Sequence, residues 1–206
     1  MGNSNKSAQE VKAMWDKDPS GLCDTYGRVT FHIFKHDQAA YVKNNVTVAM
    51  KYFRGTELWH ILAQEDFWVK RAQGRNLPIM NEHHAKYASV DEIKNVVLSF
   101  VGENVKADST NMVDIYVSFD SHPSALAVTI VPGAPSAEHI SISKQLAKSG
   151  AGSAANIAHE FMHVLDYYDV SRKKSLPYAV GNAVDYLIKL ELAKSRGSPG
   201  ISDGSA

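Results

Sequence analysis

The stretch that decides the fold runs from residue 154 to residue 166 and reads AANIAHEFMHVLD. Its apolar residues have helical spacing, and Gly152 and Ser153 before it are typical of the residues that precede a helix. Because positions i and i+4 of a helix share one face, His159 and His163 should project side by side. The stretch therefore predicts a helix that presents two imidazoles on one side.

The His-Glu-x-x-His pattern within this helix predicts a metal site. Two imidazoles one turn apart can bind one tetrahedral Zn²⁺, and Glu160 beside them can act as the general base that activates the attacking water. The residue frequencies of this chain give about 0.02 such motifs by chance, so the pattern is informative. The sequence thus predicts His159 and His163 as zinc ligands and Glu160 as a catalytic residue.

A catalytic zinc normally has three protein ligands, so a third donor must come from elsewhere in the chain. Asp166 shares the histidine face, but it lies too far along the helix from His159 to bind the same ion. It is better suited to accept a hydrogen bond from a ligand histidine. Asp169 can reach the site only if the chain turns back sharply at Asp166, and Gly is the usual residue at such a turn.

The last predicted helix offers another carboxylate. Tyr178, Asn182 and Asp185 are spaced as one polar stripe of that helix, whose apolar residues can face the core. If the stripe faces the zinc helix, Asp185 completes the coordination and Tyr178 donates a hydrogen bond to the oxyanion of the transition state. The pattern therefore favours Asp185 over Asp169 as the third ligand and makes Tyr178 a candidate catalytic residue. The alternative is that the stripe is only a solvated helix face, and for Tyr178 or Asn182 taken alone the pattern favours that alternative.

Two segments resemble a known family. HEFMHVLD at 159–166 is similar to the HEFxHxxD segment of the zincin peptidases grouped with anthrax lethal factor and Mlc titration factor. Tyr178, Asn182, Asp185 and Tyr186 follow the order and spacing of a downstream helix in that group, except that Asp185 stands where the family has Glu.

This resemblance implies zinc coordination by His159, His163 and Asp185, with Glu160 as general base and Tyr178 as transition-state stabiliser. It covers only about residues 154–190. A second zincin pattern, HExxHxxGxxD, also resembles the segment and would instead place the third ligand at Asp169.

The other patterns predict an α+β fold, which the resemblance makes zincin-like: a small mixed sheet packed against the HExxH helix and further helices. Residues 1–20 are expected to form an N-terminal helical arm or first core helix, 21–195 a single zincin-like catalytic domain, and 196–206 a flexible tail. The strand at 139–143 is expected to be an edge strand that binds extended substrate. Helices are predicted at 8–17, 39–53, 57–73, 89–101 and 178–194, and strands at 28–34, 113–119, 125–131 and 139–143. The capping-box spacing of Ser7 and Glu10 predicts the start of the first helix.

Composition limits the partners and the compartment. Lys plus Arg (22) equals Asp plus Glu (22), so no net charge would attract nucleic acid or anionic lipid. The chain has no long apolar run and no signal-peptide core at its start, and Cys23 alone cannot form an internal disulfide. These features predict a soluble protein without a classical signal peptide, either cytoplasmic or delivered by a non-classical route.

The combined prediction is a zinc metalloendopeptidase with Zn²⁺ as cofactor and a protein or peptide as substrate. The alternative is a catalytically silent zincin-fold component of a larger assembly, in which the metal is only structural. Glu160 favours the enzyme, because a structural site needs no general base. A hydrolase of a non-protein amide is a third possibility, and the sequence leaves the oligomeric state open.

Overall fold

Six α-helices, one short π-helix at Ala147–Ala151 and seven strands form the regular structure in the part of the chain that the computed structural model describes. The described residues are 6–69, 83–85, 88–106, 112–120, 127–130, 137–144, 147–169 and 175–196. The helices are α1 Ala8–Lys17, α2 Ala39–Arg54, α3 Glu57–Leu62, α4 Ala88–Val101, α5 Ala154–Val164 and α6 Leu176–Arg196. The strands are β1 Leu22–Tyr26, β2 Val29–Ile33, β3 Phe67–Val69, β4 His83–Ala85, β5 Val113–Asp120, β6 Ala127–Ile130 and β7 Ala137–Ser143.

The main sheet has five strands in the order β1-β2-β5-β7-β6. Strands β2, β5 and β7 are parallel, while β1 and β6 run antiparallel to their neighbours at the two edges. Strands β3 and β4 form a separate antiparallel pair. The predicted α+β fold with a mixed sheet is therefore confirmed.

The edge position predicted for residues 139–143 is wrong, although the strand itself is confirmed. This segment belongs to β7, which hydrogen-bonds to β5 on one side and to β6 on the other. The edge strand on this side is β6, and it is β6 that lies next to α5. Since residues 139–142 of β7 are paired on both sides, a peptide cannot pair with them by strand addition.

The two faces of the sheet carry cores of different size. One face packs against α2 to α6, and alternate residues of β2 (Val29, Phe31 and Ile33) are buried there. On the opposite face, Trp15 and Val11 of α1 pack around Tyr116. Helix α1 begins with the predicted capping box, in which Ser7 and Glu10 bond to each other's backbone.

Some elements differ from the sequence patterns. The helix predicted over 57–73 ends at Leu62, and Phe67–Val69 form β3, in which buried residues flank the exposed Trp68. Strand β1 had not been predicted. Of the predicted tail, Arg196 ends α6, and 197–206 lie outside the described residues. Within the described ranges, no helix is both long and apolar enough to cross a membrane.

Candidate metal centre

Helix α5 carries the HExxH motif and is fixed at both its start and its buried face. The Ser153 side chain caps the start by accepting a hydrogen bond from the Asn156 N–H at 3.2 Å. On the buried face, the Phe161 ring lies 5.2 Å from that of Phe53 and 6.3 Å from that of Phe31. This packing fixes the rotation of the helix and turns its two motif histidines away from the large core.

The two histidines direct the same nitrogen toward each other. The Nε2 atoms of His159 and His163 lie 3.1 Å apart. Nδ1 of His163 lies 2.7 Å from the Tyr167 carbonyl oxygen, to which it donates a hydrogen bond, and His159 is hydrogen-bonded to the backbone of Pro177. Backbone carbonyls commonly orient metal-binding histidines in this way, because they fix the ring and leave the other nitrogen as the ligand atom.

The chain reverses direction directly after α5. Asp166 has a φ of 68°, and its N–H donates to the His163 carbonyl at 2.9 Å. The next N–H, of Tyr167, donates to the Met162 carbonyl at 3.0 Å, which completes a Schellman motif. The sequence pattern made the turn unfavourable, because Asp166 stands where Gly is usual. Asp is nevertheless one of the few residues other than Gly that adopt the left-handed backbone conformation found here.

The reversal brings Asp169 back to the histidines. Its Oδ2 atom lies 3.5 Å from Nε2 of His163 and 3.7 Å from Nε2 of His159. Together with the 3.1 Å between the two nitrogens, these distances leave a point about 2.0 Å from all three atoms, which matches Zn–N and Zn–O bond lengths. His159, His163 and Asp169 therefore form a group that could hold a metal ion, and its donor set suits Zn²⁺.

Asp185, the residue that the sequence favoured as third ligand, does not join this group. Its carboxylate pairs with Lys189 one turn further along α6, and its side chain is 49% exposed. The polar stripe was correctly placed on a helix, but its Asn182 and Asp185 section lies toward solvent, away from the histidine pair. The structure thus places Asp169, and not Asp185, beside the histidine pair.

Tyr178, at the start of α6, does lie at the site. Its ring centroid is 4.5 Å from that of His159, with the two planes inclined at 71°. Gly181 allows this approach, since a Cβ there would stand 3.1 Å from the Ala155 carbonyl oxygen and 3.4 Å from Cβ of His159. A larger residue would push α6, and with it the tyrosine, away from α5.

Glu160 is buried, with 4% of its surface exposed, and the negative charge of its carboxylate raises the pKa of His163. Burial lowers the pKa of His163, but the hydrogen bond to Asp169, the charge of Glu160 and the Tyr167 carbonyl outweigh it and raise the pKa overall. Burial and the proximity of His163 lower the pKa of His159 to about 4. His159 is therefore neutral at pH 7, as a metal ligand must be.

Asp169 is held as a carboxylate by its surroundings. Burial raises its pKa, but hydrogen bonds to His163 and Ser175 outweigh that effect and lower the pKa below the usual value. The Ser175 hydroxyl donates to Oδ1 of Asp169 at 2.8 Å. The sequence patterns did not identify Ser175 as a site residue. The signal for it was weak, since a Ser directly before a helix is common at helix starts.

No protein-family model, curated protein or solved structure matches this chain.

Proposed function

We propose that this protein is a zinc-dependent metallopeptidase that hydrolyses peptide bonds. One observation carries the proposal: His159 Nε2, His163 Nε2 and Asp169 Oδ2 converge at separations of 3.1, 3.5 and 3.7 Å beside the buried Glu160. Three protein donors with room for a further ligand are typical of catalytic zinc, whereas structural zinc is usually enclosed by four. The 37% exposure of the Asp169 side chain supports access from solvent.

The three donors would hold the ion, each through one atom. Bound Zn²⁺ would supply Lewis-acid chemistry, polarising the scissile carbonyl and lowering the pKa of water. The carbonyl of Tyr167 keeps Nδ1 of His163 protonated, so Nε2 is the nitrogen that would give up its proton and bind the ion.

Glu160 is the residue we assign as general base. It follows His159 directly in the helix, and its carboxylate would take the proton from the attacking water and pass it to the leaving amine. Its low exposure reduces competition from bulk water for that proton. Tyr178, whose ring packs on His159, is assigned as the hydrogen-bond donor to the oxyanion that forms on the substrate carbonyl.

The test is zinc content and cleavage of an unbiased peptide library by wild type and Glu160→Gln. Gln has nearly the size of Glu but cannot act as a base, so the variant should keep the metal and lose cleavage by at least about 100-fold. Zinc binding without cleavage by wild type would favour the alternative of a structural metal site. Failure of wild type to bind zinc under metal-replete conditions would overturn the proposal.

A further inference from the structure

The carboxylate of Asp169 has two oxygens in different surroundings. Oδ2 faces the two imidazoles, while Oδ1 accepts the hydrogen bond of Ser175. A carboxylate with both oxygens available can bind a metal through one or both of them. Occupation of Oδ1 by a hydroxyl donor leaves one oxygen for the ion.

Ser175 is itself held rigidly. It is fully buried, at 0% exposure, and its backbone forms a parallel bridge with Trp68 of β3. Its carbonyl accepts the Ala179 N–H at 3.0 Å, which makes Ser175 the N-cap residue of α6. A strand and a helix start thus fix the backbone from which the hydroxyl reaches Asp169.

We propose that Ser175 is a positioning residue of the metal centre that makes Asp169 a ligand through Oδ2 alone. One-oxygen binding favours the four-coordinate geometry that Zn²⁺ prefers, whereas larger cations such as Ca²⁺ take six to eight oxygens. Ser175 would therefore increase zinc affinity and keep the coordination number low. This inference rests on the proposed function only in assigning His159, His163 and Asp169 as ligands.

The experiment measures Zn²⁺ affinity by competition with a chelator, and the visible absorption of Co²⁺ bound in place of zinc. Four-coordinate Co²⁺ absorbs strongly and six-coordinate Co²⁺ weakly, so the spectrum reports coordination directly. Ser175→Ala should weaken Zn²⁺ binding by about tenfold or more, the usual effect of losing a hydrogen bond to a ligand, and should lower the Co²⁺ absorption. Ser175→Thr, which keeps the hydroxyl, should behave as wild type.

The matched control is Ser153→Ala. Ser153 caps α5, the helix that carries both histidines, so Ser153→Ala removes a serine hydroxyl directly before a helix but touches no ligand. Ser153→Ala should leave the affinity and the Co²⁺ spectrum unchanged. If Ser175→Ala is poorly folded by circular dichroism, Ser175→Gly serves instead, because Gly is tolerated as an N-cap.

Three results would overturn the inference. Equal Zn²⁺ affinity and Co²⁺ absorption in wild type and the hydroxyl-free variant would show that Ser175 does not position Asp169. Equal losses in the Ser153 and Ser175 variants would assign the effect to loss of a hydroxyl at a helix start and not to the bond with Asp169. Absence of zinc binding by wild type would remove the metal centre itself, and only this last result also overturns the proposed function.

Discussion

The turn after α5 and the middle of α6 each carry one aspartate that the sequence makes a candidate partner of the histidine pair. Only the aspartate after the turn lies beside the histidines. Asp169 follows the Schellman turn and lies 3.5 Å from Nε2 of His163. Asp185 lies on a regular helix that packs against α5, yet its carboxylate is paired with Lys189. In this chain the loop whose backbone reverses, and not the neighbouring helix, places a carboxylate beside the two histidines.

The difference between the two regions comes from rotation and backbone conformation. A periodic pattern shows which residues share a face of a helix, but the rotation of that face depends on packing with other elements. In α6 the close contact at Gly181 sets the rotation, which brings Tyr178 to His159 and leaves Asp185 half exposed. In the turn, one residue at positive φ determines the path of the chain.

The largest expected effect separates the two carboxylates. Asp169→Ala should weaken Zn²⁺ binding by more than about 100-fold, because a ligand should matter more than the outer hydrogen bonds around it. Asp185→Ala should bind zinc as wild type does. Isothermal titration or chelator competition on both variants measures this, and the opposite ranking would restore the assignment of Asp185.

The second effect concerns Tyr178, which α6 places beside His159 although α6 supplies no carboxylate to the histidine pair. Tyr178→Phe should lower kcat by about 100-fold, as loss of one oxyanion donor does, with zinc content unchanged. Tyr186→Phe is the matched control, since Tyr186 lies on the same helix and is exposed. An unchanged kcat for Tyr178→Phe would limit α6 to a packing role.

The third effect concerns the turn itself. Asp166→Val should destabilise the fold by about 1–2 kcal/mol or more, because a β-branched residue is strained at a φ of 68°. Asp166→Gly fits this conformation and should retain zinc binding. Urea unfolding of the zinc-free proteins gives the free energies of unfolding. Equal stability of Asp166→Val and wild type would argue against a positive φ at residue 166.

The smallest effect concerns the surface pair of α6. Asp185→Asn should change the free energy of unfolding by less than about 0.5 kcal/mol, as expected for an exposed pair one turn apart on a helix. Thermal melts at low and high salt measure it. A loss well above 1 kcal/mol would mean that Asp185 has a structural role beyond its contact with Lys189.

Local sequence signals predicted much of the fold. The Ser7–Glu10 box marked the start of α1, and the HExxH spacing placed His159 and His163 on one face of α5. These features depend on residues close in sequence. The position of β7 inside the sheet depends on pairing with β6, which no pattern within β7 records.

The same distinction applies to the site. The HExxH motif identified two residues of the group that could hold a metal ion, and Glu160 beside them, because helical spacing alone places these residues. The Asp169 contact required knowing that Asp166 adopts a positive φ, and the Ser175 contact required knowing where α6 begins. Both depend on backbone geometry that residue types only weakly determine.

The reversal at Asp166 also sets how a bound ion would affect folding. With all three donors within residues 159–169, metal binding closes a short loop at the end of α5, so it removes little chain entropy from the unfolded state. Coordination through Asp185 would instead have cross-linked two helices. We therefore expect removal of the ion by a chelator to lower the melting temperature by the loss of the binding free energy. The sheet and α1 to α4 should stay folded without the ion.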